Sequence, residues 1–390
     1  MLLVLNVGSS SLKAAVLQAT AATSMELWRA ETPRLGALQD QLSQWLAPQL
    51  EQWWPDLKAI GHRVVHGGEH FTTPTRITAA VLEQLNAVSA LAPLHNPPAL
   101  EAIHWLQQVR PSLPQWACFD TAFHASLPPA ASTYALPAAW REGGCRRYGF
   151  HGLNHQHVAE AVPCQRLVSA HLGAGCSLAA IRAGRSIDTT MGFTPLEGLV
   201  MASRSGSVDP GLLLHLQRQG LSLEELDEGL NRRSGLLGLS GLSSDWRTLR
   251  EAAAEGHNGA QLALAVFLHR LQRGIGAMAA SLGGVDQIAL SGGIGANDEQ
   301  LLDELQTAMT WLGPVQWQRI AADEEGMIAR LISRADQGSG AAGDSAAGDR
   351  HCGDREPAHR PVHGTSAPRH RAHAHQRCAP SEPRSRTDGR

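Results

Sequence analysis

Short apolar runs alternate with longer amphipathic stretches along the first half of the chain. Leu2 to Leu5 and Ala14 to Leu17 are apolar and flank a Gly-Ser-Ser-Ser turn, which predicts a two-stranded hairpin. The other predicted elements of this half are a helix at Leu35 to Leu50, a short strand ending in the His62 to Gly68 loop, two helices between Ile77 and Val109, and a strand at Gln115 to Phe119. This order predicts a β-rich α/β unit.

The second half repeats the order of the first. A predicted strand at Leu167 to His171 leads through a Gly-Ala-Gly-Cys-Ser turn into a return strand at Leu178 to Ile181. Further predicted elements are helices at Leu212 to Arg218, Leu223 to Arg232, Trp246 to Glu255 and Gln261 to Leu282, then a strand at Gln287 to Leu290 and a glycine turn. Because both halves open with strand, Gly/Ser turn and strand, we expect a duplicated α/β domain with a nucleotide in the cleft.

The composition changes abruptly after residue 335. Residues 336–390 contain no Ile, Leu, Met, Phe, Trp or Tyr, and their one valine is Val362. Such a segment cannot bury enough apolar area to offset the entropy of ordering it, so we predict a disordered, low-complexity tail. A frameshifted reading of GC-rich DNA is a second explanation of this composition, and an uninterrupted frame on resequencing would exclude it.

Length, charge and cysteine usage limit the class of protein. The 390 residues suggest two to three domains, of which two is our working number. A net charge of −3 offers no basic face for nucleic acid or for an anionic membrane, so a small partner is expected. The first segment lacks a basic region and an A-x-A cleavage site, and no run of about 18 apolar residues occurs, which predicts a soluble protein. Six cysteines without C-x-x-C spacing indicate neither a zinc site nor a disulfide framework and fit a cytoplasmic location.

Three glycine-rich turns are candidates for binding phosphates. They are Gly8 to Ser11, Gly173 to Ser177 and Gly292 to Asn297, the last just before a helix that starts near Asp298. Glycine lets the backbone approach an anion closely, and backbone amides supply the donors. Each turn alone also fits an ordinary loop. No P-loop and no G-x-G-x-x-G motif occurs.

Several polar residues beside these turns are candidates for chemistry. Lys13 is one of only two lysines and follows the first glycine turn, while Arg63 and Arg204 each lie near glycines or small residues that leave room for a guanidinium to bind a carboxylate or phosphoryl group. Asp120 follows a predicted strand, and His151 lies between glycines in a short loop. Surface cations, a capping aspartate and a structural histidine are the alternative interpretations.

Taken in order, the motifs resemble those of the acetate kinase family. They are N-x-G-S-S-S-x-K, G-H-R-V-V-H-G-G, P-L-H-N-P, F-D-T-A-F-H, Y-G-F-H-G, H-L-G-x-G, D-T-x-M-G-F-T-P-L-E-G, R-S-G, S-S-D-x-R, G-G-I-G and E-E-x-x-I-A-R, spread over residues 1 to 334. The resemblance implies two duplicated ribonuclease-H-like domains of the actin-like ATPase type with a nucleotide cleft between them, and usually a homodimer. It places a first domain at residues 1–121 plus about 323–335, a second at 122–322, and leaves 336–390 as the tail.

The resemblance also implies roles for individual residues. The catalytic residues would be Asp120, His151 and Arg204, and Arg63 would bind the substrate carboxylate in a small acyl pocket of Val65, Leu94, Phe150 and Pro195. Asn6 and Glu324 would hold Mg²⁺, with Mn²⁺ as an alternative. The ATP-binding residues would be Lys13, His171, Leu172, Gly173, Ala174, Gly175, Asp245, Trp246, Arg247, Gly293, Ile294, Gly295, Ala296 and Asn297. The implied reaction is reversible phosphorylation of acetate by ATP.

Two details of the site go beyond this transfer of roles. Acetate is already ionised at neutral pH, so we expect Asp120 to organise the metal and its waters more than to act as a base. Relatives that prefer propionate carry a smaller residue at the position of Val65, which favours acetate here.

The sequence departs from the family pattern at four positions. Ala174, Ala296, Ser207 and Val7 replace residues that are usual in the nucleotide motifs, and the loss of side-chain contacts worth roughly 1 kcal/mol each would weaken ATP binding. These departures and the tail leave a non-catalytic nucleotide-binding homologue as one alternative, and a propionate or butyrate kinase of the same fold is the other.

Overall fold

In the computed structural model, which describes residues 1–8, 11–92 and 95–343, the chain forms two mixed β-sheets covered by helices. The strands are β1 Leu2–Val7, β2 Ser11–Ala19, β3 Ser24–Pro33, β4 Ala59–Val64, β5 Thr75–Arg76, β6 Gln115–Phe119, β7 Arg166–Leu172, β8 Cys176–Arg182, β9 Arg185–Thr189, β10 Gln287–Ser291 and β11 Gln316–Arg319.

The first sheet has the strand order β3-β2-β1-β4-β6-β5. The chain enters through the hairpin of β1 and β2, and β4 and β6 then add in parallel to β1. All six residues of β1 are buried, as expected for a central strand with both faces covered. The carboxyl ends of β1, β4 and β6 therefore lie at one edge of the sheet.

The second sheet has the order β11-β10-β7-β8-β9. Here β7, β8 and β9 are antiparallel neighbours, and β10 and β11 run parallel to β7. If β7 is matched to β1, the sheet repeats the first one as strand, return strand, second return strand, and two parallel additions. This order agrees with the predicted duplication.

Helices pack on both sheets. They are α1 Leu38–Asp40, which continues as a π-helical turn Gln41–Leu46 into α2 Ala47–Leu50, then α3 Ala79–Val88, α4 Asn96–Val109, α5 Pro129–Ser132, α6 Ala138–Glu142, α7 Gly152–Ala161, α8 Pro210–Arg218, α9 Leu223–Arg232, α10 Gly235–Ser240, α11 Trp246–Ala254, α12 Asn258–Leu282, α13 Gly292–Asn297, α14 Glu299–Ala308 and α15 Glu324–Gly343. The long α12 supplies Phe267, Leu271 and Ile275 to the core of the second sheet.

The last helix returns to the first sheet. Met327, Ile328 and Ile332 of α15 pack in one buried cluster with apolar residues of β1 and β2. Gly61 of β4 makes this approach possible, because a Cβ at Gly61 would lie 2.6 Å from Ile332 Cδ1 and 2.7 Å from Ile328 Cγ2. The predicted return of the last helix to the start of the chain is therefore observed. Residues 1–343 form one compact unit, so the proposed domain boundaries stay a prediction.

Patterning located the central strands and missed elements at the periphery. β3, β5, β9 and β11 were not predicted because these edge strands are short or partly exposed and have no continuous apolar run. The predicted glycine turn at 292–297 is the helix α13, and His62 and Arg63 lie within β4, before the loop where we expected them.

The last helix is longer than predicted. α15 continues to Gly343, eight residues into the segment predicted to be disordered, because extending an anchored helix costs much less than starting one. The rest of the predicted tail lies outside the described residues. Within those residues, no helix is both long and apolar enough to cross a membrane.

Candidate active site

Three polar residues meet at the carboxyl edge of the first sheet. Asn6 lies near the end of β1, Arg63 near the end of β4, and Asp120 directly after β6. The parallel register pairs Leu5 with His62 and Arg63 with Cys118, which brings the three ends level. This is the edge at which open α/β sheets bind ligands.

Arg63 hydrogen-bonds with both other residues of this group. Its Nε lies 3.0 Å from Asp120 Oδ1 and its NH2 2.5 Å from Asp120 Oδ2, and its NH1 donates to Asn6 Oδ1 at 3.0 Å. Glu324 Oε2 is 3.9 Å from the same NH1. These bonds use one N–H on each of the three guanidinium nitrogens and leave one N–H on NH1 and one on NH2 for another ligand.

The charges in this group are buried and mutually dependent. Only 1% of the Asp120 side chain and 15% of the Arg63 side chain are exposed. Burial raises the pKa of the Asp120 carboxyl, and Arg63 opposes this rise by stabilising the ionised form. Burial disfavours the charge on Arg63, but Asp120 and Glu324 outweigh it, so the pKa of the Arg63 guanidinium lies above its usual value. The pair holds its charges only while both members are present.

The start of α15 adds two carboxylates. Asn6 Nδ2 donates to Glu324 Oε2 at 3.1 Å and to Glu325 Oε1 at 2.8 Å, and Arg29 of β3 donates to Glu325 Oε2 at 3.0 Å. Glu325 was missed by the sequence analysis, although its position next to Glu324 was a signal. Its carboxylate fixes the amide of Asn6, so that the oxygen of this amide faces Arg63.

The metal prediction can be tested against these donors. Asn6 and Glu324 offer hard oxygen ligands within one hydrogen-bonded group, and the residues that the structure describes contain no cluster of three or more His, Cys, Asp or Glu arranged around a metal position. Mg²⁺ usually binds one or two protein oxygens and takes its other ligands from water and phosphates. The donor set fits an ion that arrives with a nucleotide better than an ion held in a closed protein cage.

His151 reaches the same edge from the start of α7. Its backbone is left-handed, with φ 57°, which is uncommon outside glycine and is concentrated at functional sites. The next residue is held by Gly152 N donating to Asp120 O at 2.8 Å, and a Cβ at Gly152 would lie 2.1 Å from that oxygen. Burial first, and then His171 and Arg63, keep the pKa of His151 well below its usual value, so the ring is neutral at pH 7.

Arg204 approaches His151 across Gly175. A Cβ built on Gly175 would lie 3.0 Å from His151 Nε2 and 3.1 Å from Arg204 NH2, so both groups point at the backbone of this turn. Arg204 NH1 donates to Pro195 O at 2.8 Å, and no carboxylate of the described residues lies within ion-pair distance of Arg204. Burial lowers the pKa of this guanidinium. Arg204 is therefore a partly buried cation without a counter-ion.

The predicted acyl pocket is assembled in part. Val65 and Phe150 are buried in one apolar cluster, and the ring of Phe150 meets His66 edge to face, with the ring centroids 5.5 Å apart. Pro195 is buried and accepts the hydrogen bond of Arg204. Leu94 lies outside the described residues. Of the predicted pocket residues, Pro195 therefore lies in direct contact with Arg204.

Most of the predicted ATP-binding residues line one cavity of about 970 Å³. Those lining it are Gly173, Ala174, Asp245, Trp246, Arg247, Gly293, Ile294 and Asn297, whereas His171, Leu172, Gly175, Gly295 and Ala296 do not line it. Gly292, the residue before Gly293 of the lining, has to be glycine, because φ is 79° there and a Cβ would lie 2.5 Å from Leu172 O. The rim also carries Arg250 and Asp298, which the sequence analysis did not select; Asp298 accepts from Trp246 Nε1 at 2.5 Å.

Lys13 and His171 both lie close enough to Glu324 to stabilise its ionised carboxylate. Lys13 is paired with Asn6 in the β1–β2 register and forms an ion pair of 3.5 Å with Glu31. The ring of His171 lies 4.4 Å from that of His151, and its buried Nδ1 has no hydrogen-bond partner within the described part of the chain. Burial lowers the pKa of His171, while Glu324 raises it.

The four departures from the family pattern differ in their surroundings. Ala174 lines the nucleotide cavity with no polar atom in its side chain. Ser207 has a structural role, since its Oγ accepts from Gly198 N at 3.1 Å. Val7 is buried in the core beside the first glycine turn. Ala296 is a partly buried residue of α13. Of the four, Ala174 is the one that lines the cavity.

Sequence reasoning missed a histidine below the site. His155 follows His151 by four residues on α7 and is fully buried. Two histidines at this helical spacing share one helix face, and this signal was present in the sequence. The ring of His155 hydrogen-bonds with Ser169 and Ser177, and Ser177 in turn hydrogen-bonds with the ring of His151.

Comparison with known proteins gives consistent results. The acetokinase family model matches residues 30–336. The chain is 53% identical over 270 residues to the acetate kinase of Synechococcus sp. (strain JA-2-3B'a(2-13)), covering 65% of this chain and 67% of that protein, and 48% identical over 292 residues to the acetate kinase of Deinococcus radiodurans, covering 72% and 71%.

Solved structures show the same fold. A propionate kinase from Francisella tularensis matches with a TM-score of 0.77 at 34% identity over 85% of this chain and 98% of that chain. An acetate kinase from Porphyromonas gingivalis matches with a TM-score of 0.75 at 31% identity over 85% and 99%. The predicted fold class and the predicted phosphotransferase activity are thereby confirmed. The chain belongs to the acetokinase family.

Proposed function

We propose that this protein catalyses the reversible transfer of the γ-phosphoryl group of ATP to the carboxylate of acetate, giving acetyl phosphate and ADP. The observation that carries the proposal is Arg204, a partly buried cation with no counter-ion among the described residues, which points together with His151 at Gly175, the residue after Ala174 of the cavity of about 970 Å³. A phosphoryl group in transit would supply the missing negative charge.

Arg63 would bind the acetate carboxylate. It has one free N–H on NH1 and one on NH2 after its bonds to Asp120 and Asn6, which suits a planar carboxylate. Val65 and Phe150 would enclose the methyl group. Asp120 would act by fixing the orientation of this fork and by keeping Arg63 charged, a role it can fulfil without removing a proton.

His151 and Arg204 would stabilise the transferred phosphoryl group. Phosphoryl transfer requires that the two oxygens be held in line and that charge on the equatorial oxygens be neutralised. Both side chains point at Gly175, which lies at the turn between β7 and β8 and continues into the nucleotide cavity through Ala174 and Gly173. A neutral His151 donates one hydrogen bond, and Arg204 supplies the charge.

Asn6 and Glu324 would hold Mg²⁺, which would shield the charges of the ATP phosphates when bound. Lys13 would lie near the same phosphates, since it pairs with Asn6 in the hairpin register. The adenosine part would occupy the cavity of about 970 Å³ lined by Asp245, Trp246 and Ile294.

The test is an acyl hydroxamate assay. Purified protein is incubated with Mg-ATP and hydroxylamine, with acetate or with propionate, and the hydroxamate is quantified. We expect a strong acetate-dependent signal and a higher kcat/KM for acetate than for propionate. A folded protein that binds ATP but gives no hydroxamate with either acid would contradict the proposal, and a preference for propionate would assign the chain to the longer acid.

We also propose a cytoplasmic homodimer. α8 buries none of its residues and, with its flanking segments, exposes the apolar residues Val208, Leu212, Leu214, Leu221 and Leu223. The cysteines of the described residues are unpaired, in agreement with a reducing compartment. Light scattering should give twice the chain mass, and Leu214→Asp should shift the protein towards the monomer. A monomeric wild-type protein at micromolar concentration would contradict the dimer.

A further inference from the structure

A chain of hydrogen bonds runs through the core behind His151. Ser169 Oγ lies 2.8 Å from His155 Nδ1, His155 Nε2 lies 2.9 Å from Ser177 Oγ, and Ser177 Oγ lies 2.8 Å from His151 Nδ1. Ser169, His155 and Ser177 are fully buried, and 8% of His151 is exposed. We call these four residues the histidine–serine chain.

The histidine–serine chain lies on one face of the second sheet. In the register of β7 and β8, Ser169 is opposite Ala179 and His171 is opposite Ser177, so these side chains share the face on which α7 packs. The opposite face of β7 carries Val168, Ala170 and Leu172, which belong to the large apolar core. Polar residues in such a place cost free energy unless each of them is hydrogen-bonded, so the pairing of the four groups is highly constrained.

The hydroxyl and ring hydrogens of the histidine–serine chain have one arrangement in which both serine hydroxyls have an acceptor. Within the described residues, Ser169 Oγ has His155 Nδ1 as its hydrogen-bond partner, so its hydroxyl must donate to that nitrogen. The proton of a neutral His155 then lies on Nε2 and is donated to Ser177 Oγ. Ser177 in turn donates to His151 Nδ1, which leaves the proton of His151 on Nε2.

The opposite arrangement leaves a buried group unpaired. If His155 Nδ1 donated to Ser169, the hydroxyl hydrogen of Ser169 would have no acceptor, at a cost of about 1–3 kcal/mol. His151 would then carry its proton on Nδ1 and present a lone pair from Nε2 towards Gly175 and Arg204. A lone pair would repel the phosphoryl oxygens, whereas an N–H would bind them.

We propose that His155, Ser177 and Ser169 are positioning residues that fix the Nε2–H tautomer of His151, so that the ring donates a hydrogen bond to the phosphoryl group. This inference rests on the proposed function for its catalytic consequence, and it can be tested without it. None of the three residues touches a substrate, and their effect is transmitted through the proton on His151.

Nitrogen-15 NMR of the histidines reads this tautomer directly. The full chain is labelled with ¹⁵N-histidine, His151→Gln assigns the signal, and long-range ¹H–¹⁵N spectra at neutral pH show which ring nitrogen carries the proton. We expect an Nε2–H ring in the ligand-free wild type and a mixture of tautomers in Ser177→Ala. A wild-type His151 with its proton on Nδ1 would overturn the inference and leave the acetate kinase proposal intact.

Kinetics supply the second readout. Ser177→Ala should lower kcat by roughly 10 to 100-fold, the usual effect of losing a group that orients a reacting histidine, with the KM for ATP within about twofold of wild type. The matched control is Ser186→Ala. Ser186 is equally buried and its Oγ lies 2.8 Å from His124 Nδ1, but it does not belong to the histidine–serine chain. Ser186→Ala should lower the melting temperature comparably and leave kcat unchanged.

Substitution of His155 separates orientation from packing. His155→Gln places an amide N–H near the former Nε2 and should recover most of the kcat that His155→Leu loses. If both variants fold and have equal kcat, or if Ser177→Ala retains the wild-type kcat and tautomer, the inference is wrong. Should the variants at positions 155 and 177 fail to fold, the wild-type spectrum, assigned with His151→Gln, still decides the matter.

Discussion

The buried pair of Arg63 and Asp120 makes a quantitative prediction about stability. Asp120→Asn keeps the shape of the side chain but removes its charge and turns an N–H donor towards the guanidinium. Removal of one partner from a buried ion pair costs about 3–5 kcal/mol, because the other charge stays buried without compensation. Glu324 remains 3.9 Å from Arg63 NH1 and supplies part of the lost charge, so we expect the lower end, about 3 kcal/mol.

The expected change in melting temperature follows from the size of the folded unit. The entropy of unfolding is about 2.1 cal/mol/K per residue. It is therefore about 0.7 kcal/mol/K for the compact unit of residues 1–343, if this unit unfolds in one transition. A loss of 3 kcal/mol then lowers Tm by about 4 °C. The measurement is differential scanning calorimetry at pH 7.5 without nucleotide.

A double-mutant cycle and a surface control complete the test. Arg63→Gln combined with Asp120→Asn leaves two neutral side chains, so the double variant should be less destabilised than the sum of the single variants. Asp286→Asn weakens an ion pair of the same 2.5 Å length to Arg166, but there the side chains are 34% and 40% exposed, so the shift should be clearly smaller. Equal shifts for Asp120→Asn and Asp286→Asn, or additive effects within the cycle, would refute the assignment of Arg63 and Asp120 as one electrostatic unit.

Three further outcomes follow from the site. Arg204→Ala should lower kcat by about 10²–10³-fold in the hydroxamate assay, whereas Arg273→Ala, on the exposed face of α12, should not change it; equal rates would remove Arg204 from the reaction. Val65→Ala should raise the ratio of kcat/KM for propionate over acetate by at least about tenfold, and an unchanged ratio would exclude Val65 from the acyl pocket. Stability should fall as pH drops below about 6.5, because the unfolded chain then binds protons that the folded chain excludes, at roughly 2 kcal/mol per histidine at pH 5. A Tm that is equal at pH 7.5 and 5 would contradict the burial of the four histidines whose pKa is lowered to about 4, which are His62, His66, His95 and His124.

The sequence predicted the parts of the fold that local chemistry determines. β1 and β7 are short apolar runs that end in glycine turns, and α9 was predicted with its observed bounds, which the structure explains by a capping box of Ser222 and Glu225 at its start. The cavity of about 970 Å³ follows the same rule, since most of the residues predicted to bind ATP lie in short motifs and the folded chain brings eight of them together around it.

Long-range pairing was not predictable from local patterns. Nothing in the segment around Arg63 indicates that its guanidinium is shared between Asp120, 57 residues later, and Asn6, 57 residues earlier. The edge strands were missed because half-exposed strands such as β3 have no continuous apolar run. Motifs supplied the residue identities, whereas the allocation of each charge to its partner required the folded sheet.

The two sheets have the same strand order but carry different side chains at their carboxyl edges. Both sheets present the carboxyl ends of a central strand and its parallel neighbours, yet the first edge carries Asn6, Arg63 and Asp120, whereas the second carries His171, Ser291 and Gly292. Charged side chains suit a carboxylate and a phosphoryl group, and a neutral edge rich in glycine lets the backbone approach a nucleotide. Because strand order is the same in both, the difference in function lies in a few side chains at equivalent ends. Exchange of Arg63 for a neutral residue should therefore abolish transfer while leaving ATP binding at the second edge intact, which calorimetry of the Arg63→Gln variant with ATP would show.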